Sequence, residues 1–182
     1  LDVATGTGDV AIMASRLLNP SHITGIDISE GMLEIGREKV KKAGLEQQIS
    51  LLKGDSETIN FENNSFDAVT VAFGVRNFQN LEKGLAEILR VLKPNGKLVV
   101  LEFSKPQTAI IKKLYNFYMK SLAPNICKLF SKNPKAYIYL GESIQKFPEG
   151  KHFIEVMERL GFRHTISKPL SLGICSIYCG EK

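Results

Sequence analysis

The chain is poor in the residues that staple a fold together or bind metal. Its three cysteines, Cys127, Cys175 and Cys179, are an odd number with no ligand spacing. That excludes a disulfide scaffold and points to reduced thiols in a cytosolic protein. Cys175 and Cys179, four apart, are expected to share the buried face of one strand. The three histidines, His22, His152 and His164, are scattered, and no metal site is expected. No stretch reaches the ~18 uncharged apolar residues that a bilayer span needs. Internal repeats and low-complexity tracts are also missing. What is present is one domain's worth of chain, 182 residues with 43% apolar and 24% charged side chains. A single domain over 1–182 is the expectation.

Charge is plentiful but uneven. The net charge is +5, yet 105–151 holds nine lysines against two acids, Glu142 and Glu149. That segment carries +7, which leaves −2 for the rest. The basic excess therefore needs its own explanation.

Strand-like and helix-like stretches alternate along most of the chain. Strands are predicted at Leu1–Ala4, His22–Asp27, Ile49–Lys53, Phe66–Phe73 and Lys97–Phe103, with helices at Asp9–Leu18, Glu30–Ala43 and Leu81–Leu92. Ser29 suits a helix N-cap, and Lys93-Pro-Asn-Gly96 suits a helix stop followed by a turn. Such alternation implies a parallel sheet covered by helices on both faces. A strand normally needs ~5 residues, so the short opening run predicts that a leading segment is missing ahead of Leu1. The ending differs. A lysine- and aromatic-rich helical insertion spans 105–148, and a helix is predicted at Glu149–Leu160. Two runs, Arg163–Lys168 and Gly173–Gly180, are then joined by a short link that demands antiparallel pairing.

Chemistry gathers where strands end. Asp2-Val-Ala-Thr5-Gly6-Thr7-Gly8-Asp9 is a strand, a glycine turn and a helix start. Glycines allow close backbone approach to a ligand, and the helix start offers free N–H groups. A tight turn with no ligand remains an alternative, and Gly6-x-Gly8-x-x-Ala11 also fits a dinucleotide loop. Asp27 closes the second strand, 21 residues after Gly6, where a carboxylate can hold two ribose hydroxyls. That suits nicotinamide nucleotides and S-adenosylmethionine alike. The third strand ends in Gly54-Asp55-Ser56-Glu57. An acid there can accept from the exocyclic amine of adenine, with Ile28 and Met32 sandwiching the ring. Glycine loop, ribose acid, adenine acid and terminal hairpin together resemble the class I S-adenosylmethionine methyltransferase fold. That is a three-layer, Rossmann-like α/β fold whose mostly parallel seven-stranded sheet has its last strand antiparallel.

The fourth strand raises a sharper question. Val69–Phe73 is apolar, yet Gly74-Val75-Arg76-Asn77 follows at once. Ligands of open α/β sheets bind at the carboxyl ends of strands, so Phe73, Gly74, Arg76 and Asn77 are expected beside the cofactor's sulfonium. Alternatively, Arg76 pairs with a carboxylate. Here the chain resembles the ubiquinone/menaquinone biosynthesis C-methyltransferases. The matching stretches are DVATGTGD, GIDISEGMLEIGREK, NNSFDAVTVAFGVRNF, RVLKPNGKLVVLEFSKP, AYIYLGESIQKFP and GFRHTISKPLSLGICSIYCGEK. Glycine loops and LKPNG are common among methyltransferases, whereas FGVRNF, LEFSKP and YLGESI are far more specific. The resemblance implies methylation of a ring carbon on a polyprenylated quinol, demethylmenaquinol or its ubiquinone counterpart. Two departures stand out. The family's helical N-terminal segment is not in this chain, and Tyr178 stands where the family often has histidine.

A quinol hydroxyl, like tyrosine, ionises near pH ~10, so the enzyme must stabilise the phenolate or remove its proton. A guanidinium keeps its proton. Arg76 is therefore expected as an electrostatic partner of the phenolate, or of a water that takes the proton. Asn77 would orient that oxygen or water. In the insertion, Ile110, Ile111, Leu114, Phe117, Tyr118 and Leu122 fall on one side of a helix and Lys112, Lys113, Asn116 and Lys120 on the other. This is either a helix packed on the domain with a solvated face, or a lid that lines an isoprenoid channel and meets anionic lipid. Tyr137, Tyr139 and Phe147 would extend that wall or sit in the core. The expected location is cytoplasmic, with peripheral contact at the inner face of the membrane. A homo-oligomer is compatible with the sequence. Nucleic acid is not an expected partner, because Arg and aromatic interleaving is sparse. Methylation of another small or lipid substrate, a nicotinamide oxidoreductase and a non-catalytic lipid- or nucleic-acid-binding module are the competing functions.

Overall fold

The computed structural model describes residues 1–106, 108, 111, 113 and 134–182, with the side chains of the last stretch described from Tyr139 onward. Seven strands form one sheet: β1 (Asp2–Val3), β2 (Ile23–Asp27), β3 (Ile49–Lys53), β4 (Phe66–Ala72), β5 (Leu92–Phe103), β6 (Arg163–Leu170) and β7 (Cys175–Glu181). Their order is β3-β2-β1-β4-β5-β7-β6. The first five pair in parallel, and β7 runs antiparallel to both of its neighbours. This is the sheet that the sequence pattern predicts.

Topology locates the site. From β1 the chain steps outward through α1 (Asp9–Leu18) and α2 (Glu30–Lys42) to β2 and β3. On the other side, α3 (Leu81–Val91) connects β4 to β5. Parallel crossovers are right-handed, so opposite stepping directions put α1 and α2 on one face and α3 on the other. Two apolar clusters follow this division. One joins Ala11 and Leu33 to Ile23 and Leu51. The other packs Val69, Val71, Leu98 and Val100 against Leu85, Ile88, Phe153 and Met157, the last two from α5 (Lys151–Leu160). The sheet's direction of growth reverses between β1 and β4, and ligands bind at the carboxyl side of that crevice.

Several local expectations change. Ser29 takes the N-cap place of α2, but its side chain makes no capping bond; its N–H donates instead to Asp27 Oδ1 at 2.9 Å. The LKPNG turn lies within β5 as a bulge. Leu92 pairs with Phe66 and Lys97 with Ala68, so six residues of β5 oppose three of β4. In β7 the buried face belongs to Ser176, Tyr178 and Gly180, which leaves Cys175 and Cys179 half-buried as free thiols. Cys127 lies outside the described residues. Tyr178 is buried beside Phe153, and its hydroxyl accepts the Gly150 N–H at 2.8 Å, tying the sheet to the start of α5.

Of the proposed insertion helix, Ile110, Lys112, Leu114, Asn116, Phe117, Tyr118, Lys120 and Leu122 lie outside the described residues, as does the side chain of Tyr137. The segment's ends meet, because Lys105 N–H donates to Glu149 Oε2 at 2.5 Å. A further helix, α4 (Pro134–Lys146), precedes α5. It buries Ser143 and Ile144 and leads into Phe147, which packs on Phe153 at 5.0 Å. Phe147 therefore belongs to the core. No helix among the described residues is long and apolar enough to cross a membrane.

Candidate active site

The glycine loop is held by the first two acids in different ways. Asp2 is buried, and its oxygens accept from Thr70 Oγ1 and Thr5 Oγ1, each at 2.6 Å. Burial raises its pKa, and the two hydroxyl bonds oppose that rise. With both oxygens engaged, Asp2 ties β1 to β4 and shapes the loop from below. Asp27 lies higher and accepts from Gly6 N–H at 2.8 Å and from Ser29 N–H at 2.9 Å. Gly6 has φ +56°, a left-handed conformation that glycine adopts without a Cβ penalty.

Thr7 turns outward, bonding Asp9 Oδ2 and accepting from Lys39 Nζ at 2.8 Å. That network, with Lys39, lowers the Asp9 pKa. Asp55 Oδ1 accepts from Glu57 N–H at 2.9 Å, while Asp55 Oδ2 has no partner among the described residues.

Asp27 and Asp55 open into the same cavity, of about 360 Å³, a size suited to a small-molecule site. Its walls include Ile28, Gly54, Ser56, Gly74 and Asn77 from the sequence prediction. Ala4, Phe78 and Gln79, which sequence reasoning missed, also line it. Asp2, Thr5, Gly6, Thr7, Gly8, Met32, Phe73 and Arg76 do not. Met32 Cε nevertheless lies 3.5 Å from where a Gly6 Cβ would stand.

The two strand tips flanking the crevice share an unusual feature. Ala4 and Phe73 both have φ +55°, a conformation that costs a non-glycine residue ~1–3 kcal/mol. Such strain gathers where backbone is bent to serve a site. Gly74 follows, and a Cβ there would come 2.5 Å from Ala4 Cβ. The tips of β1 and β4 therefore touch, and only glycine fits between them.

Arg76 turns away from the cavity. Its Nη1 donates to Glu102 Oε1 at 2.7 Å and also to Phe73 O. Glu102 is 0% exposed and the Arg76 side chain 11%. Glu102 also accepts the N–H of Phe103 at 2.8 Å and of Arg76 itself at 3.2 Å. One carboxylate thus grips both ends of Arg76. The Phe103 ring lies 5.2 Å from the guanidinium carbon, and Arg76 Nε is buried without a hydrogen-bond partner among the described residues. Sequence reasoning allowed a carboxylate partner but did not identify Glu102, which follows only from the pairing of Ala72 with Leu101. Asn77 does face the cavity, and its Oδ1 accepts from Tyr139 Oη at 3.2 Å.

A reversing parallel sheet, a glycine loop bonded to a strand-end acid and a second acid across one cavity define a class I methyltransferase, the class that takes its methyl group from S-adenosylmethionine. Across residues 1–182 the chain matches the model of the ubiE/COQ5 methyltransferase family, and it belongs to that family. It is similar to a demethylmenaquinone methyltransferase of Bacteroides fragilis, with 47% identity over 182 residues covering all of this chain and 74% of that protein. A ubiquinone/menaquinone biosynthesis C-methyltransferase of Geobacter sulfurreducens is 45% identical over 183 residues, covering all of this chain and 71% of that protein. Among solved structures, a SAM-dependent methyltransferase from Aquifex aeolicus superposes with a TM-score of 0.70 at 21% identity, over 99% of this chain and 79% of that one; that likeness bears on fold alone.

Proposed function

We propose that this enzyme methylates a ring carbon of a polyprenylated quinol of the demethylmenaquinol type, in quinone biosynthesis, with S-adenosylmethionine as donor. One observation carries the proposal: Asp27, Asp55 and Asn77 wall a single cavity at the point where the sheet reverses direction. The relatives' names supply the quinol.

The residues fit the donor. Asp27, already anchored by two backbone N–H groups, would accept from the ribose hydroxyls. Asp55 would accept from the adenine amine, with Ile28 and Met32 against the ring. Gly54, Ser56, Gly74 and the Thr5–Gly8 loop, shaped by Asp2, would complete the cradle with Phe73 at its edge. Bound there, S-adenosylmethionine supplies a methyl group already activated on a sulfonium.

What remains for the protein is alignment and charge. Aligning the ring carbon can contribute ~7–11 kcal/mol. For the carbon to attack, the neighbouring hydroxyl must first ionise, its proton passing to water, so negative charge appears on that oxygen and flows back into the ring as the new bond forms. Asn77, on the cavity wall, would donate a hydrogen bond to that oxygen. Arg76 acts through the turn that carries Asn77, with its charge balanced by Glu102. The segment 105–148 serves in this proposal as a lid over the quinol, its lysines meeting anionic lipid. Support on the described side is that α4 packs against the 75–77 turn.

The test is methyl transfer from S-adenosylmethionine to short-tailed demethylmenaquinol. Asn77→Ala and Arg76→Ala are each expected to lose ~10²-fold or more in turnover, as for loss of a transition-state stabiliser. Near-normal turnover in both would reject these roles, and an inactive wild-type protein would reject the substrate.

A further inference from the structure

Asn77 is a cavity-wall residue with hydrogen-bonding capacity to spare. Its backbone N–H is committed to Gly74 O at 2.9 Å, and its Oδ1 accepts from the Tyr139 hydroxyl. Its amide nitrogen has no partner among the described residues. A carboxamide presents either a donor or an acceptor to a ligand, depending on which way it is turned, and its neighbours decide which. A tyrosine hydroxyl can donate to the oxygen or accept from the NH2 group, and here the Tyr139 hydroxyl meets Oδ1. The oxygen is taken by protein, and the NH2 group is left for a ligand.

The sense of that choice matters to the reaction. An oxygen acquiring negative charge is stabilised by a donor and repelled by a carbonyl. Tyr139 is 57% exposed, so burial of its ring does not account for its placement. Its hydroxyl is the polar link from α4 to the cavity wall among the described residues.

We propose that Tyr139 is a positioning residue for methyl transfer: its hydroxyl locks the Asn77 carboxamide with the amide donor facing the reacting quinol oxygen. This rests on the functional reading above and adds to it a residue from the inserted segment.

Tyr139→Phe removes one oxygen and keeps the ring. Turnover on short-tailed demethylmenaquinol is expected to fall ~10-fold, with KM for the quinol within ~2-fold, because the interaction belongs to the transition state. In an Asn77→Ala background the same substitution should change turnover by less than ~2-fold, since nothing remains to orient. An equal loss in both backgrounds, or no loss in the first, would overturn the proposal. A second measurement needs no substrate. The side-chain amide 15N–1H signals of Asn77 should shift or broaden by exchange in Tyr139→Phe, and unchanged signals would overturn the proposed lock. Should the wild-type protein fail to methylate the quinol, the functional reading falls, while the amide signals still judge the lock itself.

Discussion

Replacing Arg76 by methionine isolates what its charge does for the fold. The side chain keeps its length and apolar stem but leaves the Glu102 carboxylate, 0% exposed, without its cation. Breaking a buried pair on one side costs ~3–5 kcal/mol, because the remaining charge stays out of water. Glu102 retains two backbone donors, from Phe103 and from residue 76, so the lower end, ~3 kcal/mol, is expected. In a domain of this size 1 kcal/mol moves the melting temperature by ~2–4 °C, which gives a fall of ~6–12 °C. Thermal unfolding followed by circular dichroism at neutral pH measures it.

The decisive comparison is the double variant Arg76→Met with Glu102→Gln. The two backbone donors meet different oxygens of Glu102; a neutral glutamine keeps one acceptor oxygen for one of them, and no buried charge is left over. Neutral replacements of buried pairs are often as stable as the pair, so at least half of the lost melting temperature should return. Two results would refute the reasoning. One is a single variant within ~2 °C of wild type. The other is a double variant no more stable than Arg76→Met, which would mean that the cost lay in packing against Phe103 rather than in an orphaned charge.

Other expectations follow from the same geometry. Asp27→Ala removes a doubly accepting carboxylate, and hydrogen bonds to charged groups contribute ~1.5–3 kcal/mol. Calorimetric affinity for S-adenosylmethionine should fall ~10- to 150-fold, and an unchanged Kd would exclude Asp27 from the cofactor site. Asp2 tests the sign of a buried carboxyl. Its folded pKa is raised chiefly by burial, so its contribution to stability is complete below the usual carboxylate range and is lost as pH rises through the raised value. Asp2→Asn cannot ionise. The melting temperature of the variant relative to wild type should therefore climb as pH rises from about 4 and then level off; a decline would show that the bonds from Thr5 and Thr70 outweigh burial.

Much of the frame was legible in the sequence because it depends on local signals. Apolar runs bounded by glycine and acid mark strand ends, and Ile49–Lys53 and Asp9–Leu18 occur with the predicted bounds. The short link after Lys168 forces antiparallel pairing wherever the hairpin lies. What escaped depends on register or on backbone shape. The Phe66–Phe73 run ends on three apolar residues, Val71 to Phe73, yet β4 ends at Ala72 because Phe73 enters the left-handed region, and no apolar pattern reports φ. LKPNG reads as a turn ending a helix, and it is a turn, but one spliced into a strand by pairing on both sides of it.

Arg76 shows most clearly where a linear reading stops. A permanent charge after a buried strand invites a catalytic role, because the strand tip lies at the active end of the sheet. The alternative needed a carboxylate, and the one used is not the nearest in sequence: Asp67 and Glu82 stand closer to Arg76, whereas Glu102 is 26 residues away in an apolar stretch. Parallel pairing of β4 with β5 brings the two tips level, and the alternation of β5 turns Glu102 inward beneath the turn. The fold thus spends a buried ion pair to hold three residues, Val75 to Asn77, in one shape. Of these, Asn77 faces the cavity, and its donor and acceptor ends differ in their effect on a growing negative charge. A site that must present one end and not the other needs a rigid turn below and a fixed partner beside it, and Glu102 with Arg76 meets the first need as Tyr139 meets the second.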